Sequence, residues 1–150
     1  NLIVLRTLSK SYSLAGMRLG FAVAHEDLIS GMMKVKDSYN VDRLSIASAV
    51  AALGDQETFR ENVARIKKTR GRLIDSLKKL GFFVYPSQAN FVMIRCRDAN
   101  KAKEIYQELR ERKILIRYFE QPRLDDCLRI TVGTDEEIDA LLDNLAEIKT

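Results

Sequence analysis

The sequence predicts a mixed α/β chain, and three patterns carry that expectation. Two short apolar runs rich in branched side chains, residues 2–5 and 19–24, read as buried strands. Residues 56–80 repeat apolar side chains at helical spacing. From residue 82 onward, apolar runs and helical repeats follow in the order β-β-α-β-β-α, which predicts a compact α+β domain of about 70 residues.

Residues 2–5 (LIVL) form the first strand, and the polar, small segment 7–16 follows it. Residues 19–24 (LGFAVA) form the second strand. Residues 26–36 place Leu28, Ile29, Met32, Met33 and Val35 on a helix that His25 opens. Residues 45–53 (SIASAVAAL) are a close-packed helix of small residues, ended by Gly54. In the long helix 56–80 the apolar stripe is Phe59, Val63, Ile66, Leu73, Leu77 and Leu80; Gly71 weakens one turn and Gly81 stops it. Residues 82–85 are a strand, 86–88 a turn around Pro86, and 90–96 (NFVMIRC) a strand. Residues 99–112 form a helix on Ala102, Ile105, Tyr106 and Leu109. Residues 114–119 are a strand, a loop carries Pro122, and 127–132 (CLRITV) are a strand. The final helix, 135–148, is announced by Thr134 and Glu137 at capping-box spacing. Residues 1–55 are thus one part, 56–80 a linking helix and 81–150 a small α+β domain. The two strands of the first part have no return partner and would expose apolar surface if they stood alone.

Composition narrows the function. Hydrophobic residues at 46% and charged residues at 31% are the balance of a folded globular chain. No apolar run approaches the roughly 20 residues of a membrane span. The opening NLIVLRTLSK lacks a signal-peptide layout, so a cytoplasmic location is expected; without a first Met it reads as the interior of a larger protein. The single histidine, His25, removes most histidine-based catalysis and a His-ligated metal site; no metal is expected. Cys96 and Cys127, outside any CxxC, read as reduced core thiols rather than a disulfide or metal site. The net charge of +4 comes from basic residues interleaved with acids, as in KKTRGRLIDSLKK and RERK. These read as solvated helix faces, and neither a nucleic-acid nor a membrane partner is expected.

The chemistry concentrates in residues 7–21, TLSKSYSLAGMRLGF. A lysine just after a buried strand loses solvation, which lowers its pKa and makes its amine a nucleophile. Ser9, Thr7 and Arg18 could hold a dianionic phosphate through charge-assisted hydrogen bonds, and Gly16 and Gly20 would let the backbone turn and approach closely. Tyr12 reads as a packing residue.

This segment resembles the pyridoxal-phosphate lysine segment of the fold-type I, class II aminotransferases, and is most similar to that of the histidinol-phosphate aminotransferases. The resemblance implies that Lys10 forms the Schiff base with pyridoxal 5'-phosphate and then moves the proton of the reaction as general base and acid. It also implies that Ser9 and Arg18, assisted by Thr7, bind the cofactor phosphate. PSQANFVMI (residues 86–94) resembles the family's SxANF strand, and CLRITVGT (127–134) its C-terminal LRIxxGT block. The three blocks keep the family's order over essentially the whole chain. The implied fold is the C-terminal portion of a fold-type I transferase: the last strands and helix of the large domain plus the α+β small domain. The implied activity is amino transfer between histidinol phosphate and 2-oxoglutarate in histidine biosynthesis, by a full-length homodimer acting on small amino and 2-oxo acids. In the family, the groups that bind the cofactor ring precede the lysine, and here nine residues precede Lys10. These 150 residues alone are therefore expected not to transaminate.

Arg129 stands in an otherwise apolar strand, where an arginine is rarely left without an anion. The resemblance makes it the arginine for the substrate α-carboxylate; the alternative is an ion pair with Asp125 or Asp126. Arg117, twelve residues earlier, matches an arginine that helps bind the substrate phosphate in the histidinol-phosphate enzymes, or is a surface or ion-paired residue. Asn90 reads as a backbone-bonding turn residue ahead of a substrate contact. Three other readings remain: a related class II aminotransferase, a threonine-phosphate decarboxylase, and a non-catalytic domain that self-associates through its bare strands.

Overall fold

The computed structural model describes residues 1–149. It divides into two compact units, one spanning Asn1–Val63 and the other beginning at Ala64. In the first, β1 (Ile3–Thr7) pairs antiparallel with β2 (Gly20–Ala24), Ile3 opposite Ala24 and Thr7 opposite Gly20. A loop with a 3₁₀ turn at Ala15–Met17 joins them. Helix α1 (Glu26–Val35) follows His25, whose Nδ1 accepts the Asp27 N–H. Helix α2 (Arg43–Gly54) is capped by Asp42, which accepts the Ser45 N–H at 2.9 Å. Helix α3 (Gln56–Lys79) starts in this unit, with Asp55 accepting the Thr58 N–H at 3.1 Å.

Two expectations change here. The strands, expected to lack a partner, pair with each other. They are also not buried: every residue of β1 is exposed, because a two-stranded ribbon leaves both its faces open. β1 therefore runs past the apolar run to Arg6 and Thr7, its end set by the ladder rather than by burial. Gly54, expected to end its helix, is the last residue of α2, and the chain leaves the helix at Asp55.

The second unit holds the rest of α3, β3 (Phe83–Val84), β4 (Phe91–Arg95), α4 (Ala99–Glu111), β5 (Arg117–Tyr118), β6 (Cys127–Thr131) and α5 (Asp135–Lys149). The order β-β-α-β-β-α is the one the sequence predicts. The sheet runs β3-β4-β6-β5, with every pair antiparallel. Alternation along β4 and β6 sends Val92, Ile94, Leu128 and Ile130 into a core with Leu73, Leu77, Ile105, Leu109, Leu141 and Leu145. Phe91, Met93 and Arg129 take the opposite face, and the register places Arg117 beside Arg129.

Helices α3 and α4 end alike. Phe82 N–H donates to Leu77 O and Gly81 N–H to Lys78 O; Ile114 N–H donates to Leu109 O and Lys113 N–H to Arg110 O. Gly81 and Lys113 supply the left-handed residue of this closing turn, at φ 79° and 63°. The chain leaving Lys113 stays out of the ladder until Arg117, so β5 is two residues long instead of the expected 114–119. At α5 the capping box forms: Glu137 N–H donates to Thr134 Oγ1, and Thr134 N–H to Glu137 Oε2.

The basic segments are not simply solvated. Arg70 donates to Ala89 O and Gln88 Oε1, Arg72 bonds to Asp135 and Asp139, and Arg112 bonds to Asn144 and Glu147. Cys96 and Cys127 are buried free thiols; burial pushes Cys96 up to about 12 and Cys127 up to about 11, so neither is a ready thiolate.

Candidate functional site

The lysine segment is the loop of the β1–β2 hairpin. Leu8, 4% exposed, anchors it: its N–H donates to Leu19 O, and its carbonyl accepts from Leu14 N–H, both at 3.1 Å. The first of these bonds sets the Thr7–Ser9 end of the loop beside the Arg18–Leu19 end. Thr7 Oγ1 donates to Ser9 Oγ at 2.9 Å and accepts the Ser9 N–H at 3.1 Å, so two of the expected phosphate ligands form one cluster. Lys10 follows at the turn, where its carbonyl accepts from Ser13 N–H at 3.0 Å. Its side chain is exposed, so the desolvation expected from a buried strand is absent in this unit. Tyr12 stacks on Phe59 with ring centroids 4.6 Å apart, the packing role the sequence suggests.

Gly20 behaves as expected. A Cβ there would stand 2.7 Å from the Arg6 carbonyl oxygen, so only glycine permits this strand approach. Gly16 does not: it faces open space without a positive φ. The turning falls instead to Ser13 and Arg18, non-glycine residues at φ 56° and 53°. Left-handed backbone at such residues is strained and is held by its surroundings. Arg18 Nη1 donates to Ala15 O at 2.9 Å.

In the second unit the arginine expectation sharpens. Asp126 is engaged by Arg95 at 2.5 Å, which holds its carboxyl below the usual carboxylate range, and it does not pair with Arg129. Arg129 has no ion pair with Asp125 either. Its buried Nε lacks any hydrogen-bond partner. The guanidinium lies 5.3 Å over the Phe91 ring and 5.7 Å over Phe119, while Arg117 lies 5.4 Å over that same Phe119 ring. Two like charges thus share one sheet face as register partners. That placement is unfavourable without an anion and suits a carboxylate or phosphate.

Sequence reasoning missed the two rings, because the register that joins three strands is not written in any one of them. Asn90 contributes its carbonyl, which accepts from Val132 N–H at 2.9 Å. The turn itself is bonded by Ser87, which donates to Phe91 O at 2.6 Å and accepts from Ala89 N–H. Among the described residues no group of three or more His, Cys, Asp or Glu is placed to hold a metal ion, and no helix is long and apolar enough to cross a membrane.

Comparison with known proteins adds the following. The family model described as aminotransferase class I and II matches residues 1–145. A histidinol-phosphate aminotransferase from Nostoc sp. is 54% identical over 148 residues, which are 99% of this chain and 42% of the relative. One from Synechocystis sp. is 53% identical over 149 residues, with the same coverage. The chain thus spans about 42% of the length of these curated relatives. Among solved structures, histidinol-phosphate aminotransferase from Sinorhizobium meliloti in complex with pyridoxal-5'-phosphate superposes with a TM-score of 0.89 at 32% identity. The match covers 99% of this chain and 41% of that one.

Proposed function

The chain belongs to the aminotransferase class I and II family, and from that premise we propose that it is the lysine-bearing, C-terminal portion of a pyridoxal-phosphate-dependent histidinol-phosphate aminotransferase. The observation that carries this reading is the hairpin loop: a lysine, two mutually bonded hydroxyls and an arginine sit on one short connection. That donor set fits an aldehyde bearing a phosphate.

When bound, pyridoxal phosphate supplies the electron sink that makes a proton on the amine-bearing carbon of the substrate removable. Ser9, Thr7 and Arg18 would hold its phosphate. Lys10 Nζ would be the amine that holds the cofactor aldehyde, and the same nitrogen, once free, would take up the substrate proton and return it. Arg129 orients the carboxylate of 2-oxoglutarate, and Arg117 the phosphate of histidinol phosphate. The aromatic walls Phe91 and Phe119 keep both guanidinium groups aimed along one face.

The intact enzyme is a cytoplasmic homodimer, and residues 1–55, 56–80 and 81–150 serve it as large-domain segment, linking helix and small domain. These 150 residues alone do not transaminate, in line with their span of about 42% of the relatives and the bare apolar surface of the first unit.

The test is borohydride reduction of the intact enzyme with its cofactor, followed by peptide mapping, beside an assay of amino transfer from histidinol phosphate. Label on Lys10, and loss of activity in Lys10→Ala, are expected. Label elsewhere, or an active Lys10→Ala enzyme, overturns the assignment. Carbon dioxide release from threonine phosphate would replace it with the decarboxylase reading.

A further inference from the structure

We propose that Ser45 is a positioning residue for Arg18: together with Asp42 it fixes the carbonyl of Met17, and so the left-handed backbone from which the Arg18 guanidinium projects. The inference rests on the reading of Arg18 as a phosphate ligand.

Ser45 is 3% exposed, the buried polar residue of the first unit. Its Oγ lies 2.6 Å from Asp42 Oδ2 and 3.0 Å from the Met17 carbonyl oxygen, 28 positions away in sequence. Both oxygens are within reach of its one proton, which they share, and Met17 Sδ lies 3.9 Å from the same Oγ. The capping of α2 does not need this hydroxyl, since Asp42 already accepts the Ser45 backbone N–H at 2.9 Å. What the hydroxyl adds is the tie from helix to loop. Asp42 is kept ionised by the same groups: the Ser45 hydroxyl first, and then its N–H, hold the carboxyl below its ordinary value.

The carbonyl of Met17 and the N–H of Arg18 belong to one planar peptide group. Holding that carbonyl therefore restricts ψ of Met17 and φ of Arg18 together. Arg18 needs such restraint, because φ 53° and ψ 42° are left-handed backbone that a non-glycine residue adopts only at a steric cost. Its own side chain completes the tie by donating to Ala15 O, on the 3₁₀ turn whose Met17 carbonyl Ser45 reaches. An arginine that must meet a phosphate at a fixed angle gains from a backbone that cannot swing.

Two measurements test this. In the intact enzyme, Ser45→Ala and Ser45→Thr are compared for binding of pyridoxal 5'-phosphate and of pyridoxal, which lacks the phosphate. Loss of one such hydrogen bond should weaken the phosphorylated ligand about fivefold in Ser45→Ala, leave pyridoxal unchanged, and be repaired in Ser45→Thr. In the 150-residue chain, the Arg18 Cα and Cβ chemical shifts should leave the left-handed range in Ser45→Ala, while resonances of the second unit stay in place as a check on folding. Unchanged Arg18 shifts in a folded Ser45→Ala chain overturn the proposal, as does an equal loss for both ligands. If the parent enzyme itself shows no preference for the phosphorylated ligand, it is the phosphate reading of Arg18 that fails, and the Arg18 shifts still decide the positioning role.

Discussion

Leu128 and Leu5 are both leucines of five-residue strands, yet the first is fully buried and the second is 74% exposed. The contrast holds for the units around them. In the second unit, Leu73, Leu77, Val92, Ile94, Ile105 and Leu109 close a core with Leu128. In the first, Leu8 is the buried hydrophobic residue among those described, while Leu2, Val23, Val35, Leu44 and Val50 lie open. The first unit keeps its shape through the β1–β2 ladder, helix caps and the loop bonds of Leu8 and Ser45. The difference teaches that apolar patterning states what a segment prefers and not what covers it.

The sharpest way to break the comparison is to truncate the two leucines. Leu128→Ala removes side-chain atoms from a closed core and should cost about 2–5 kcal/mol. Leu5→Ala removes atoms already in water and should stay within about 0.5 kcal/mol. Urea unfolding of the chain measures both. Comparable losses would mean that the first unit buries its strands after all, and the contrast would be wrong.

A smaller effect separates the units by mechanism. Gly20→Ala drives a Cβ into the Arg6 carbonyl, 2.7 Å away, and should cost about 1–3 kcal/mol, all of it in the β1–β2 ladder. Hydrogen exchange should quicken at β1 amides and hold steady in β4. Faster exchange in both units would show that they unfold as one.

The second unit was the more legible of the two. Its strands alternate, its helices carry clear stripes, and Thr134 and Glu137 announce the cap that forms. Patterning of this kind is readable because the buried face exists. The first unit misled where cover was assumed: residues 2–5 and 19–24 looked like buried strands, and nothing in either run says that they pair with each other. At the site, the lysine loop could be singled out by its resemblance to a family segment, and Gly20 by its place at the start of the second strand. Arg129 could be singled out as an arginine among apolar neighbours, but its orphaned Nε and two ring walls depend on cross-strand register. Ser45 gave no signal, since a serine near a helix start is ordinary and its partner lies 28 positions away. Arg70 and Arg72 looked solvated because charge in a helix does not reveal which acceptors come near it.

The smallest test asks whether the second unit, well packed as it is, still carries local strain. Helices α3 and α4 close with the same pair of hydrogen bonds, one through Gly81 and the other through Lys113. At φ 63° the Cβ of Lys113 meets a steric cost of about 1–2 kcal/mol that Gly81 escapes. Replacing it by glycine removes that cost and adds about 0.5–1 kcal/mol of unfolded-chain entropy. Lys113→Gly should therefore stabilise the chain by about 0.5 kcal/mol, read as a higher urea midpoint at unchanged slope. Its counterpart, Gly81→Ala, should lose stability by a similar or larger amount. A destabilising Lys113→Gly would mean that the exposed lysine gives something the turn geometry does not show, and that the two helix ends are alike only in their backbones.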